Sequence, residues 1–441
     1  MIARKLLPFV LVAAAACDGL LDVTPPDRVS ETEAITDEAS ARAALVGAYA
    51  ALTSGSYYGG TLIFFGDLSA DNARHTGTLQ AYADADRNAL RADNSSIEGM
   101  WDAIYEGIAR ANIVIARVPE VPGIRASERD RILGEAHFLR ALHYHNLVRL
   151  WGAVPLVTAP PASVDEASAV TRAPVDSIYD QILADLDRAA ELLGPGSSAT
   201  AANDGAVEAL RSRVLLYRED WAGAAAAAEA VIDLGYDLAE DFSSLFSPDA
   251  GATPEDIFRV IFTEDDFNNI GYYYIGGSCG GGRGEVAPTE DLASAFDPAD
   301  LRRDWTLRRV GSDLCGTKYP TTVGTEDVHV IRFAEVLLNL AEARARLNDL
   351  PGAIAAYNRV RVRAGLPEHE LGVDVSTQAD VLAAIWRERR LELALEGDRW
   401  PDLVRTGQAV SVLGIPSEFT LYPIPQNEID VAPNLRQNPG Y

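Results

Sequence analysis

"DGAVEALRSRVLLYREDWAGAAAAAEAVIDL", Asp204 to Leu234, reads as two helices joined by a tight turn at Glu219-Asp220. Asp204–Arg218 forms the first arm, and Trp221–Leu234 runs back along it. The alanines of the second arm leave room for close helix crossing. The arrangement returns at Val330–Leu347 ("VIRFAEVLLNLAEARARL"), followed by a short Asn348-Asp349-Leu350 turn, Pro351 and a returning arm, Gly352–Ala364 ("GAIAAYNRVRVRA"). Helical periodicity with small residues at the crossing predicts two antiparallel helix pairs.

Each pair occupies about 34 residues, the length of a tetratricopeptide unit, which buries its apolar face only by stacking on a neighbour. Two further pairs are predicted: Trp101–Arg117 with Glu128–Leu150, and Val175–Leu193 beside Asp204–Arg218. Ile132, Ala136, Leu139, Leu142, Leu147 and Leu150 keep helical spacing, so that helix is expected to be buried on one side. The fold expected is mainly α, with about four helix pairs packed against an irregular, loop-rich half carrying a few short strands. The irregular half is Tyr236–Asp327. There Asp256–Phe262 alternates like a strand, and "NNIGYYYIGGSCGGGRG" (Asn268–Gly284) and "RRDWTLRRVGSDLCGTKYP" (Arg302–Pro320) follow. Long aromatic and glycine-rich loops in a compact protein usually carry function.

The N-terminus reads differently. Arg4 and Lys5 precede an apolar run, Leu6–Ala16, that is too short for a membrane span of about 20 residues. It ends in small residues immediately before Cys17, so "LVAAAAC" is a lipobox-like site: residues 1–16 as a cleaved signal and Cys17 as the lipidated residue. Two or three acyl chains hold a protein stably at a bilayer. Residues 17–33, with Pro25-Pro26, are expected to be a flexible tether, and 34–441 a single domain.

The chain carries a formal charge of −27, and losing Arg4 and Lys5 with the signal takes it to −29. Such a balance disfavours nucleic acid and an electrostatic hold on anionic lipid. Cys279 and Cys315 lie in glycine-rich, loop-like surroundings; in an oxidising compartment they close a loop as a disulfide, or else stand as free thiols.

Reactive constellations are missing. His143 and His145 fall on opposite helix faces and His137 gives no third ligand, so no metal is expected. No nucleophile elbow, zinc-protease helix or phosphate loop occurs, and "GGGRG" (Gly280–Gly284) lacks the Lys-Ser/Thr of a phosphate cradle. Glu264-Asp265-Asp266 reads as a solvated loop before it reads as a cation site. No cofactor is expected and no enzyme activity. What remains is a binding profile: flat aromatic faces for sugar C–H groups, with amides, carboxylates and guanidinium groups for hydroxyls. The candidates are Tyr57, Tyr58, Asp67, Asn72 and Arg74, then Phe267, Asn268, Tyr272, Tyr273, Tyr274, Arg283 and Trp305.

Several stretches, in order, carry a resemblance: "ALVGAYAAL" (Ala44–Leu52), "MWDAIYEGIARANIVIARV" (Met100–Val118), "GEAHFLRALHYHNLVRLWGAVPLVT" (Gly134–Thr158), the 330–366 helix pair, "IWRERRLELALEGDRWPDLVRTG" (Ile385–Gly407) and "YPIPQNEIDVAPNLRQNPGY" (Tyr422–Tyr441). Together they resemble the SusD/RagB family of outer-membrane nutrient-binding lipoproteins. The resemblance implies a ligand-binding lid over a SusC-like TonB-dependent barrel, capturing oligosaccharide or another nutrient without converting it. Display at the cell surface is part of the same implication. Within these motifs Arg389, Arg390, Glu392 and Arg399 are expected to form buried ion pairs, Gly397 to end the helix, and the two proline-rich segments to lie extended and pinned to the body. Two other readings stay open: an envelope scaffold that binds protein segments through its helix pairs, and capture of a non-glycan ligand such as peptide.

Overall fold

The structure, a computed structural model, describes residues 35–441 apart from 162, 197 and 248–250. The proposed signal, Cys17 and the tether lie outside the described residues. The main helices are α1 (Glu38–Ala50), α2 (Ser95–Arg117), α3 (Ala126–Trp151), α4 (Val175–Leu192), α5 (Asp204–Tyr217), α6 (Trp221–Asp233), α7 (Phe333–Arg346), α8 (Leu350–Arg363) and α9 (Gln378–Glu392). Each packs on the next in a continuous stack, and α6 meets α7 directly across the intervening hundred-odd residues. Helix α4 lies along α3 as well as beside α5.

The two alanine-rich pairs turn by the same device. Glu219 (φ 57°) and Asn348 (φ 64°) take the left-handed conformation. The following aspartate, Asp220 or Asp349, caps the returning helix by accepting the N–H of Gly223 or Gly352, each at 3.0 Å. A cap of this kind contributes about 1 kcal/mol. Ala224, Ala227 and Ala228 of α6 and Ala341, Ala343 and Ala345 of α7 are buried, which lets the backbones approach.

Helix α3 departs from the expectation of one buried face. Every residue from Ile132 to Trp151 is buried except half-buried His137. Several of its polar side chains find partners inside: Arg140 donates to Asp185 (2.6 Å), Arg149 to Asp398 (3.0 Å), and Glu135 accepts from the Tyr49 hydroxyl (2.6 Å), while both ring nitrogens of His145 go without one among the described residues. Burial lowers the pKa of His143 to about 3 and holds His145 far below the ordinary histidine range, so both are neutral core groups.

Residues between α6 and α7 leave the stack and return to it. Strand β4 (Asp256–Val260) pairs antiparallel with β8 (Val328–Arg332), Arg259 opposite His329 and Val260 opposite Val328. The second pair's first helix therefore starts at Phe333 and not at Val330: the β-branched run Val328, Val330 and Ile331 suits a strand edge, and Phe333 N–H donates to Glu255 O at 3.0 Å. Three more two-stranded sheets occur. Strand β1 (Ala73–His75) pairs with β5 (Val286–Pro288), β2 (Val154–Pro155) with β3 (Arg172–Ala173), and β6 (Leu307–Val310) with β7 (Asp313–Gly316).

An ionic cluster locks this insertion to the stack. The Glu392 carboxylate, at the end of α9, receives Arg302 (3.1 Å), Arg332 (2.8 Å) and Arg363. Glu255 receives Arg332 (2.6 Å) and Arg363 (2.8 Å), Glu396 receives Lys318 (2.7 Å), and Glu388 receives Arg302 and Arg361. Arg389 pairs with Asp402, while Arg390 and Arg399 meet Asp71 from half-buried positions. Helix α9 ends at Glu392, ahead of Gly397. Gly397 (φ 87°) instead sits where its backbone touches Ile63 and Gly66, and a side chain on either glycine would collide. The C-terminal segment is pinned as expected: Tyr422 N–H donates to Leu150 O (2.8 Å), Trp151 Nε1 to Pro423 O (2.9 Å), and Asn438 Nδ2 to Tyr422 O (2.7 Å).

Burial opposes the charge on Glu392 and Glu396, but the arginines and Lys318 win, bringing Glu396 down to about 2 and Glu392 further below the usual carboxylate range. Both groups titrate higher once unfolded. Their stabilisation is therefore complete above about pH 4.5 and is lost as pH falls toward 2. Thermal melts should show Tm dropping through that window. Glu392→Gln, which strands buried cations, should cost about 3–5 kcal/mol at neutral pH in chemical denaturation.

Candidate ligand-binding site

Strands β1 and β5 join chain segments about two hundred residues apart, and the loop between them and the β6–β7 hairpin encloses a cavity of about 300 Å³. Its walls include Arg74, Thr76, Tyr274, Ser278, Arg283, Ala287 and Asp313. The short helix Ile270–Tyr274 supplies the aromatic side. The glycine-rich loop then folds back on this helix, with Arg283 N–H donating to Tyr272 O at 2.8 Å. Gly282 is required there because a side chain would strike the carbonyls of Ile275 and Tyr272.

A disulfide and two hydrogen bonds fix the loop. Cys279 and Cys315 form a disulfide with Cα atoms 6.1 Å apart, tying the loop to β7. Ser278 Oγ donates to Asp313 (2.7 Å), and Arg308 Nη2 to Cys279 O (2.9 Å).

Glu285 organises the other edge. It is buried and accepts the backbone N–H groups of Thr78 (3.0 Å) and Leu79 (3.1 Å) and the Nε of Arg283 (2.7 Å). Burial raises its pKa, but the Leu79 and Thr78 amides and Arg283 outweigh it and hold the carboxyl below its ordinary range. The Arg283 guanidinium thereby lies over the Tyr273 ring, 5.6 Å from its centroid, and Tyr273 stacks on Phe64 at 5.3 Å. The result is a polar cleft with a held guanidinium, a carboxylate and hydroxyls beside tyrosine rings. Tyr272 is 40% exposed at its edge. Tyr274 is 2% exposed, and its hydroxyl has no hydrogen-bond partner among the described residues.

The structure divides the sequence candidates. Arg74, Tyr274 and Arg283 share the cavity, with Tyr272 and Tyr273 adjoining it. Tyr57, Tyr58, Asp67, Asn72 and Asn268 are buried and offer a ligand no surface. The hydroxyls of Tyr57 and Tyr58 receive Asn146 Nδ2 (2.6 and 2.9 Å), fixing them to α3. Asp67 accepts Asn72 Nδ2 (3.0 Å) and Gly397 N–H (3.1 Å), and burial pushes its carboxyl up to about 7. Asn268 donates to Glu326 O (2.8 Å) and accepts the N–H of Ile270 (2.9 Å). Trp305 packs on a separate small cluster of Ala239, Phe242, Leu245 and Phe246, and Phe267 stands 55% exposed outside the cavity. Thr76, Ser278, Glu285 and Asp313 were missed. Ser278 lies inside the glycine-rich stretch, but only the β1–β5 pairing brings Thr76 to it.

Residues 305–417 match the SusD family, and residues 20–216 match the family described as "Starch-binding associating with outer membrane". The SusD-like protein P38 of Formosa agariphila is 26% identical over 97% of this chain and 96% of its own length. The chain belongs to the SusD/RagB family. The starch-binding protein SusD of Bacteroides thetaiotaomicron is 30% identical over 37% of this chain and 29% of its own length. Among solved SusD relatives, a laminarin-binding SusD-like protein superposes with a TM-score of 0.81 at 26% identity, covering 92% of this chain and 100% of that one. Surface glycan-binding protein A from Bacteroides fluxus gives 0.80 at 25% identity, with coverages of 92% and 100%. Among the described residues of this SusD-family chain, no helix is long and apolar enough to cross a membrane.

The disulfide closes a loop of nearly forty residues, for which chain entropy alone gives about 3–4 kcal/mol. Cys279→Ser with Cys315→Ser should therefore lower Tm and speed limited proteolysis within 276–284, read by mass spectrometry of the fragments, while the helical circular dichroism stays unchanged.

Proposed function

We propose that this protein captures oligosaccharide in the Arg74–Tyr274–Arg283 cleft, holds it without converting it, and passes it to a SusC-like TonB-dependent transporter for import. The observation carrying this reading is the cleft itself: a guanidinium fixed over a tyrosine ring beside Ser278 and Asp313, in a chain whose relatives include starch-, laminarin- and glycan-binding proteins. Sugar hydroxyls bond to the guanidinium and Asp313, and Tyr272 offers a face to the C–H side of a ring. A lipid on Cys17 holds the protein at the outer membrane after residues 1–16 are removed, and the 17–33 tether lets the 34–441 domain move as a lid.

Calorimetry against maltooligosaccharides and laminarin oligosaccharides tests the capture step. Saturable binding without product release is expected, with Arg283→Ala or Tyr272→Ala weakening it about tenfold or more, or about 1.4 kcal/mol. Hydrolysis products would overturn it. Tight co-purification with a protein partner and no glycan binding would favour the scaffold reading instead. Radiolabelled palmitate should mark the wild type and leave Cys17→Ala unlabelled and released from the membrane fraction.

A further inference from the structure

A second cavity, about 520 Å³, lies between α2 and the chain that leaves α3, and shares no residue with the cleft beside Cys279. Its character is different. Trp101 and Tyr105 of α2 form an aromatic side, and Leu156 and Val157 an aliphatic one. The walls are fixed by bonds made inside the protein. Tyr105 Oη donates to Pro155 O (2.8 Å), Asn112 Nδ2 to Val157 O (2.9 Å), and Val157 N–H to the Tyr144 hydroxyl (2.7 Å). Trp101 is 2% exposed, wedged edge-on against Trp151 at 5.4 Å and tilted against Tyr105 at 4.8 Å. Its indole N–H is bonded to Glu428. With these polar atoms engaged, rings and aliphatic carbon face much of the cavity.

Three acidic residues, Asp102, Glu166 and Glu428, complete the lining. Neither Asp102 nor Glu428 has an ion-pair partner among the described residues, and no basic group contributes to the pKa shift of either. Burial and Glu98 push Asp102 up. Burial and then Asp102 push Glu428 up, against the Trp101 N–H. Arg172, which approaches Tyr105, is turned to the carbonyls of Ala153 (2.6 Å) and Arg436 (2.9 Å). The site thus pairs an apolar, aromatic chamber of small-molecule size with uncompensated negative charge. A cation there gains Coulomb attraction from Asp102 and Glu428 and quadrupole attraction from the rings, while an anion or a neutral polar molecule gains neither.

We propose that this cavity is a second ligand site, selective for an organic monocation: a primary ammonium or guanidinium group carried on an apolar body. Asp102 and Glu428 take the charge, and Trp101, Tyr105 and Leu156 enclose the body. The detergent-solubilised full chain is titrated at neutral pH with 2-phenylethylammonium and with its neutral counterpart 2-phenylethanol, by calorimetry and ligand-observed NMR. One-to-one binding of the ammonium at least about tenfold tighter than the alcohol is expected. Asp102→Asn with Glu428→Gln should remove most of that preference while the doubly substituted protein keeps the parental circular dichroism. Should the pair of changes perturb folding, Asp102→Asn alone, on the exposed side of α2, should reduce the preference severalfold. Equal affinity for alcohol and ammonium, no binding of either, or a preference that survives the substitutions overturns the proposal.

Discussion

Glu392 is the point on which the two halves of this protein agree. Its buried carboxylate meets one guanidinium from the insertion, one from β8 and one from α8. Apolar surfaces tolerate a small slide, whereas a buried charge that misses its partners is expensive. Around it, Arg302, Arg332, Arg361, Arg363 and Lys318 face Asp300, Glu255, Glu388, Glu392 and Glu396, five cations to five carboxylates. On a chain with net charge −27, that internal neutrality leaves the negative excess to the surface. The cluster fixes where α9 ends, which face of β8 looks inward, and how the irregular half is seated.

The candidate cleft takes its rigidity from segments outside the helical stack, which contributes nothing to its lining. The tyrosine helix Ile270–Tyr274 leans on Phe64, and Glu285 ties Thr78 and Leu79 to the strand that pairs with β1. Arg283 is aimed by a carboxylate that is itself held by backbone amides, so its position depends on little side-chain freedom. A ligand meeting such a group has less ordering entropy to overcome.

The helix pairs were legible because they are local: periodicity, a left-handed turn residue and a capping aspartate sit within about thirty residues of one another. Contacts across hundreds of residues were not. Helix α3 read as half-exposed because Glu135, Arg140, His143, Asn146 and Arg149 are polar. Their burial depends on partners as distant as Tyr57 and Asp398. For the same reason Tyr57 and Tyr58 read as candidate ligand aromatics. Their residue chemistry is right, but Asn146 and His143 take up their hydroxyls. The strand at Val328–Arg332 was absorbed into the following helix, since nothing nearby in sequence announces that Asp256–Val260 will lie against it. Arg74, Tyr274 and Arg283 were found by their type and their place in irregular stretches, and the β1–β5 pairing that brings them together was invisible.

The β4–β8 pairing has a consequence for how this architecture can change. Those two strands act as a clasp around residues 261–327, closing the base of the insertion that carries most of the cleft. Beyond the clasp the chain can lengthen or shorten with little penalty, since doubling a flexible loop costs only about 0.6 kcal/mol. What is held between the strands divides into two parts: Asp300, Arg302 and Lys318 anchor it to the stack, while the loop around 276–284 can be rewritten for a different ligand with the clasp and those charges left as they are.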